Sequence, residues 1–328
     1  MKLLVTGGLG FIGSNFIINV LKNYKNFEIV NVDAELYGSN HNNLIEIKKF
    51  ENYKFVKGDI DDYELMNGLI KNCDAVLNFA AESFVDRSIS NARPFLYSNV
   101  NGVFTILNII KNTDKKFLHV STDEVYGSLT SDSAKEDSRF NPSSPYAATK
   151  AAAELLINSF VTTYGCNCII TRCTNNYGPR QFPEKLIPKT IILAYQNKRI
   201  PIYGKGKNIR DWIFVDDHCN AIMNVFLNGK AGNSYNISSN NEIDNISIVE
   251  KILSIMDKPT NLIEFVEDRP GHDFRYSMDS SKIRKELCWS QKVSFEVGLK
   301  KTIEWYLSHI DWWENISEKT LSSTPWKN

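Results

Sequence analysis

The sequence offers no metal cage, no membrane anchor and no field of one charge. Its six cysteines are Cys73, Cys166, Cys168, Cys173, Cys219 and Cys288. Their only close spacing is Cys166-Asn-Cys168, whereas a zinc site needs two separated pairs, so no metal is expected. All six are expected to be reduced and structural, as in cytosolic chains. No apolar run approaches the roughly 18 residues that span a bilayer. The run Leu3-Leu4-Val5 is cut by Gly7 and Gly8, where a secretion signal needs a longer apolar core. A cytoplasmic chain with no membrane partner is expected. Lys+Arg and Asp+Glu both total 38, a net charge of zero. Nucleic-acid or membrane-surface binding by bulk charge needs a basic excess that is missing.

What is present is an ordinary globular balance, 42% hydrophobic and 23% charged over 328 residues. That length suits two domains, or one large α/β unit with an extension. Strand-like and helix-like segments alternate through the first half. Strands are expected at 2–6, 27–33, 54–58, 75–80, 117–122 and 168–172. Helices are expected at 11–23, 64–71, 95–111 and 143–164, the third led by Pro94 and the last stopped by Gly165. Continuous apolar strands between helices imply a doubly wound parallel sheet covered on both faces. Beyond about residue 175 the segments shorten and Pro and Gly become frequent. This reads as a smaller C-terminal substrate-binding lobe over 176–328 beside a domain over 1–175. Strands are expected in the lobe at 201–203, 234–237 and 263–266, with a helix at 213–227 free to return to the first domain.

The run Val5-Thr6-Gly7-Gly8-Leu9-Gly10-Phe11-Ile12-Gly13 joins the first strand to the first helix. Gly7, Gly10 and Gly13 permit a tight turn, close approach to a pyrophosphate and close helix–sheet packing. The helix N-terminus adds unpaired N–H groups and the positive end of its dipole. Asp33 lies 20 residues after Gly13 at the next strand end, where its carboxylate accepts from both ribose hydroxyls of NAD. The same carboxylate repels a 2′-phosphate, and its neighbours Ala34 and Glu35 offer no compensating arginine, so NAD is expected over NADP. Gly58-Asp59-Ile60 closes another strand, with Asp59 in reach of an adenine amino group. The expected fold is a Rossmann-type NAD domain.

Tyr146 and Lys150 stand four apart on one face of a long helix. An ammonium beside a phenol stabilises the phenolate, and such a tyrosine takes a proton from a sugar hydroxyl as hydride leaves the same carbon. Ser121-Thr122 brings a hydroxyl to the end of a strand before that helix. The combination resembles the extended short-chain dehydrogenase/reductase superfamily. Ser121-Thr122-Asp123-Glu124-Val125-Tyr126-Gly127 narrows the resemblance to its nucleoside-diphosphate-glucose 4,6-dehydratases. So do Ala80-Ala81-Glu82-Ser83-Phe84-Val85-Asp86-Arg87-Ser88 and Asn175-Asn176-Tyr177-Gly178-Pro179. The same holds for Phe182-Pro183-Glu184-Lys185-Leu186-Ile187-Pro188, Arg210-Asp211-Trp212 and Asp268-Arg269-Pro270-Gly271-His272-Asp273.

The resemblance implies loss of water across C5–C6 of a 4-keto sugar, with Thr122, Asp123, Glu124, Tyr146 and Lys150 as the catalytic set. Asp123 is then the acid for the C6 hydroxyl and Glu124 the base for the C5 proton. Such an acid must be protonated near neutral pH, so burial and the adjacent carboxylate should raise its pKa. Phe11, Ile12, Asp33, Asp59, Ile60, Ala80, Ala81, Ser98, Tyr146, Lys150 and Asn176 are implied to touch NAD. Ser83, Thr122, Asn175, Lys185, Leu186, Tyr203, Arg210, Asn245, Arg269 and His272 are implied to touch the nucleotide sugar. Arg210 and Arg269 suit a diphosphate and Tyr203 a stacked pyrimidine. Residues alone leave the base open between thymine and uracil, which differ by one methyl. A 4-epimerase or decarboxylase of the superfamily is one alternative on this fold, and Asp123-Glu124 argues against it; a silent NAD-sensing protein is another, and the intact set of Thr122, Asp123, Glu124, Tyr146 and Lys150 argues against that. The resemblance further implies a homodimer, helices 95–111 and 143–164 of two subunits pairing as a four-helix bundle. Phe84 departs from the family, which often has His there, and Thr174 is a milder change. His119 reads as a core histidine, and the run Trp305 to Trp313 as packing of the last helix.

Overall fold

The computed structural model describes residues 1–322 and 325–327. The strands, in chain order, are β1 (Lys2–Thr6), β2 (Glu28–Asp33), β3 (Tyr53–Lys57), β4 (Ala75–Asn78), β5 (Lys116–Thr122) and β6 (Cys168–Cys173). Then come β7 (Asn175–Tyr177), β8 (Ile200–Tyr203), β9 (Ile209–Phe214), β10 (Ser234–Ile237), β11 (Glu242–Asp244) and β12 (Ile263–Val266). Seven of them form one sheet in the order β10-β6-β5-β4-β1-β2-β3, and every pair is parallel. The chain leaves β1 toward β2 and β3, then returns to β4 on its other side. This reversal opens a crevice at the strand ends, where doubly wound sheets hold their ligands.

The helices that matter to that crevice are α1 (Phe11–Asn23), α2 (Tyr63–Lys71), α3 (Val85–Ser90), α4 (Arg93–Leu96), α5 (Gly102–Ile110), α6 (Pro145–Tyr164), α7 (Leu186–Tyr195) and α8 (Val215–Asn228). One apolar layer joins α1 and α8 to the sheet through Phe16, Ile17, Ala221, Ile222 and Val225. The other joins α2, α5 and α6 through Met66, Ile70, Ile106, Leu107 and Ile157. Each face of the sheet is thus apolar, which is why its strands read as continuous apolar runs.

Two expectations change. The helix expected over 95–111 is interrupted by a π turn at Tyr97–Asn101. Asn99 holds that turn, its amide donating to Glu82 O and Thr149 Oγ1 and accepting from Glu82 N. Such turns are common where a helix must re-aim a side chain at a site, here Ser98. The second change concerns β10 alone, since the expected boundary near residue 175 already allows helix 213–227 to return. β10, placed in the smaller lobe by position, pairs with β6 at the sheet edge, and α8 packs on α1. Tyr235 and Ile237 of this strand join the apolar layer, while Asn236 on its other face accepts from Tyr126 Oη at 2.9 Å and donates to Ala134 O at 3.0 Å, and these contacts outweigh sequence distance.

α6 carries the tyrosine and lysine of interest. Ser144 caps it by accepting from Ala147 N at 3.2 Å, and Gly165 ends it at φ 69°. Arg172 of β6 pins its middle, donating to Glu154 at 2.6 and 2.9 Å with both side chains buried. Breaking such a buried pair by removing one partner costs about 3–5 kcal/mol. Among the described residues no helix is long and apolar enough to cross a membrane.

Candidate active site

One cleft runs along the C-terminal edge of the sheet. Gly7, Gly10, Phe11, Ile12, Gly13, Asp33, Asp59, Ile60, Ala80, Ala81, Ser98, Tyr146, Lys150 and Asn176 all border it. So do Ser83, Thr122, Asp123, Glu124, Asn175 and Lys185. The glycines are structural necessities. Gly7 sits at φ 69°, and a Cβ there would lie 2.5 Å from Ala80 N. A Cβ on Gly13 would lie 2.4 Å from Gly7 O, so the helix packs on the loop only without a side chain.

Asp33 orders the same loop. Its Oδ2 accepts from Leu9 N at 2.9 Å, and its Oδ1 from Glu35 N at 2.8 Å and Ser39 Oγ at 3.0 Å. The nearest cation on the next strand, Lys57, is taken up by Glu35 and is not offered to a ribose phosphate. Buried oxygens of Ser121, Asn176 and Gln181 border the cleft without partners. A glycine cradle, a strand-end carboxylate and unpaired acceptors and hydroxyls fit a dinucleotide.

Thr122 ends β5 and caps a short turn, its Oγ1 accepting from Glu124 N at 3.3 Å and donating to Asp123 Oδ1 at 3.2 Å. Asp123 is buried, and its Oδ2 has no partner among the described residues. Burial, then the charge of Glu124, pushes its carboxyl up to about 8. Asp123 is therefore protonated at neutral pH, and its free oxygen is a donor in search of an acceptor. Burial also raises Glu124, but Arg269, Lys185 and Arg210 face it and pull the other way. Both carboxyls are thus raised, Asp123 by burial and by Glu124, and Glu124 by burial against the pull of three cations.

Tyr146 is buried on the cleft wall, and burial together with Glu124 lifts its phenol well above 10. The direct phenol–ammonium contact expected from their spacing is not made. Lys150 Nζ donates instead to Val120 O at 2.7 Å and meets His119 Nε2 at 3.2 Å. Burial lowers Lys150 to about 8, leaving it charged at neutral pH.

Leu186, Tyr203, Arg210, Asn245, Arg269 and His272 lie outside the cleft lining. Arg210 and Arg269 are nevertheless turned toward it electrostatically, since both act on Glu124. Arg269 donates to Asp86 at 2.9 Å and keeps a buried, unpaired Nε. Tyr203 also donates to Asp86, at 2.8 Å, and its ring meets Trp326 at 87° and 4.8 Å. His272 pairs with Asp268, and Asn245 is held by its backbone to Asn208 O. Nothing local ties Asn245 to the cleft.

Several contacts in and beside the cleft were not legible beforehand. Tyr276 donates to Asp273 at 2.7 Å, stands 3.3 Å from Glu124 Oε2, and lies under the Arg210 guanidinium at 4.2 Å. It belongs to no motif. Phe84, the departure from the family pattern, packs edge-on with Tyr37 and Phe182 at 5.0 and 5.5 Å. Arg87 lies 3.6 Å over Tyr37 and donates twice to Glu184. Together they clasp the β2 loop to the 182–185 segment across the cleft. The last helix contributes packing: Tyr306 donates to Gln181 O, and Trp312 to Asn43 at 2.9 Å.

The profile of the GDP-mannose 4,6 dehydratase family matches residues 4–302. A dTDP-glucose 4,6-dehydratase of Mycobacterium tuberculosis is 42% identical over 324 residues, 98% of this chain and 97% of that one. The solved dTDP-glucose 4,6-dehydratase of Bacillus anthracis, in complex with NAD, is 43% identical with a TM-score of 0.92, over 97% of this chain and all of that one. A UDP-glucuronic acid 4-epimerase of Bacillus cereus shares the fold at a TM-score of 0.89 but only 27% identity, over 94% of this chain and 99% of that one. Carrying the glycine cradle, the strand-end acid pair and the helical tyrosine and lysine on this fold, the chain belongs to the GDP-mannose 4,6 dehydratase family.

Proposed function

We propose that the chain is a nucleotide-sugar 4,6-dehydratase, a hydro-lyase that turns a nucleoside-diphosphate glucose into its 4-keto-6-deoxy form and water. The observation that carries this reading is the buried Asp123, its Oδ2 without a partner among the described residues, beside Glu124 in the cleft that Tyr146 borders. An epimerase has no use for an acid and a base directed at C5 and C6. NAD, when bound, accepts hydrogen from C4 and returns it at C6. Tyr146 takes the C4 hydroxyl proton. Glu124 removes the proton from C5 and returns one there as hydride reaches C6, and Asp123 gives its proton to the leaving C6 hydroxyl. Arg210 and Arg269 hold the diphosphate, and Lys185 and Asn175 orient the sugar.

The substrate is dTDP-glucose, the sugar nucleotide in the names of relatives 42–43% identical. Steady-state kinetics with dTDP-glucose and UDP-glucose side by side test this. A kcat/KM favouring dTDP-glucose by roughly 10–200-fold is the expected worth of one methyl in a pocket. No loss of water from either sugar would overturn the function.

The enzyme works in the cytosol as a homodimer. Leu96, Tyr97, Phe104, Leu155 and Tyr164 are exposed on α4, the π turn, α5 and α6, and Leu155 is 61% accessible. Large apolar side chains along neighbouring helices favour a second copy, two helices from each subunit. Sedimentation at micromolar concentration should give a dimer, and Leu155→Glu with Phe104→Glu a folded monomer. A wild-type monomer would rule the bundle out.

A further inference from the structure

Three polar side chains interrupt the apolar interior of the main sheet, side by side. The register places Thr6 of β1 opposite Asn78 of β4, and Asn78 opposite His119 of β5. All three are fully buried, while the residues just before them, Val5, Leu77 and Leu118, are apolar core. A buried polar row is costly unless every member is paired. Here each is. Ala80 N donates to Thr6 Oγ1 at 3.3 Å, and Thr6 is bonded to Asn78 Oδ1. Asn78 Nδ2 lies 3.0 Å from His119 Nδ1, and His119 Nε2 lies 3.2 Å from Lys150 Nζ. The row starts beside the glycine loop and ends on the lysine of the site.

We propose that His119 is a positioning residue for Lys150, and that the row Thr6–Asn78–His119 fixes where the ammonium stands beneath the cleft. The proposal rests on the function above, with Lys150 as the cation that assists Tyr146 in the C4 oxidation. An ammonium has three protons to give. One goes to Val120 O and one to the ring, which leaves the third for the cleft that Lys150 borders. The ring accepts only with Nε2 bare and its proton on Nδ1, facing Asn78. As the amide stands its Nδ2 faces the ring, so this state needs a half-turn of Asn78 that turns its oxygen to that proton and its nitrogen to Thr6 Oγ1, with the Thr6 hydroxyl then donating away from Asn78. When Lys150 is neutral, the opposite order is satisfied. Donors then run from Ala80 through Thr6, Asn78 and His119 Nε2 to the amine. The ring tautomer thus follows the charge on Lys150, at a net change of one proton exchanged with solvent. The ring itself stays neutral, since burial and the facing ammonium hold His119 well below 6.5.

Other groups face the pair. Lys150 meets Glu154 on its own helix and Cys173 of β6, and Tyr146 meets Glu124, Asp123 and Cys173. Asp123 would titrate in the same range as Lys150, so the decisive profile is taken in an Asp123→Asn background. In it, His119→Gln keeps an acceptor at the depth of Nε2, whereas His119→Asn reaches only as far as Nδ1 and abandons Lys150. His119→Gln should leave the alkaline limb of C4 oxidation near pH 8. His119→Asn should move the limb down by roughly one unit, the effect of one lost hydrogen bond to a charged group, with KM for the sugar unchanged. At pH 8 this is about a fivefold loss of rate. Equal limbs in the two variants would overturn the proposal. Nitrogen-15 NMR of the ring in the NAD-loaded wild-type enzyme decides it without turnover and without a mutant that must fold. A neutral ring protonated on Nδ1 at pH 7 and on Nε2 above the Lys150 transition is expected. An imidazolium, or the Nε2 form at pH 7, would overturn it. Absence of turnover in the wild type sinks the function and leaves the ring measurement standing.

Discussion

Tyr146→Phe should keep NAD and lose turnover by roughly 10²–10⁴-fold, the worth of one positioned acid–base group. The hydroxyl is the only part removed, and the ring still packs against Phe95 at 6.4 Å. None of the glycine-loop contacts or the Asp33 hydrogen bonds depends on it, so cofactor content should be unchanged. The surroundings state what the phenol needs. Burial and the charge of Glu124 hold it in the protonated form. A nearby cation would turn it into a base near neutrality, and Lys150 is the cation proposed for that role while it keeps its proton. Lys150 sits at about 8, charged below that value and neutral above it. Wild-type C4 oxidation should therefore fall as pH rises through about 8, and Lys150→Met should be slow at every pH. Turnover of purified Tyr146→Phe at saturating nucleotide-glucose, with NAD released by denaturation and quantified, checks the assignment. Near-normal turnover would remove Tyr146 from the mechanism.

The cofactor half of the site was readable because its chemistry is local. A strand, a glycine loop, a helix and a strand-end carboxylate follow one another within residues 2–33, and backbone sterics tie each residue type to its place. The acid pair was readable only through the resemblance of the run Ser121 to Gly127, since two adjacent carboxyls at a strand end otherwise read as an ordinary turn. What escaped was assembled by tertiary packing. Tyr276 reaches Glu124 across 152 residues. The row of Thr6, Asn78 and His119 exists only in the register of three strands, so a histidine in an apolar strand looked like filler. β10 was misplaced because an edge position in a sheet leaves no local mark. The π turn beneath Ser98 was missed because helical periodicity runs through it and only the Asn99 contacts break it.

Asp123→Asn together with Glu124→Gln should separate the steps of the reaction. Both amides keep the size of the side chains and neither exchanges a proton at neutral pH. Tyr146, Lys150 and His119 are untouched, so oxidation at C4 should proceed. Loss of water should not, because Glu124 no longer takes the C5 proton and Asp123 no longer supplies one to the C6 hydroxyl. The expected result is a build-up of reduced-nicotinamide absorbance on mixing with nucleotide-glucose, no exchange of deuterium at C5, and turnover slowed by roughly 10²–10⁴-fold for loss of either group. The wild-type pH profile carries the same assignment with a definite sign. Asp123 must hold its proton to act, so elimination should fall as pH rises through about 8, the value set by its burial and by Glu124. Glu124 must have lost its proton, and burial raises its pKa, so the acid limb should lie above the ordinary carboxylate range. The result is a bell whose alkaline limb disappears from the elimination step in Asp123→Asn and whose acid limb disappears in Glu124→Gln. Full turnover with normal C5 exchange in the double amide would refute both roles. A C5 proton still exchanging while the C6 hydroxyl stays would refute Glu124 alone and leave Asp123 as the acid.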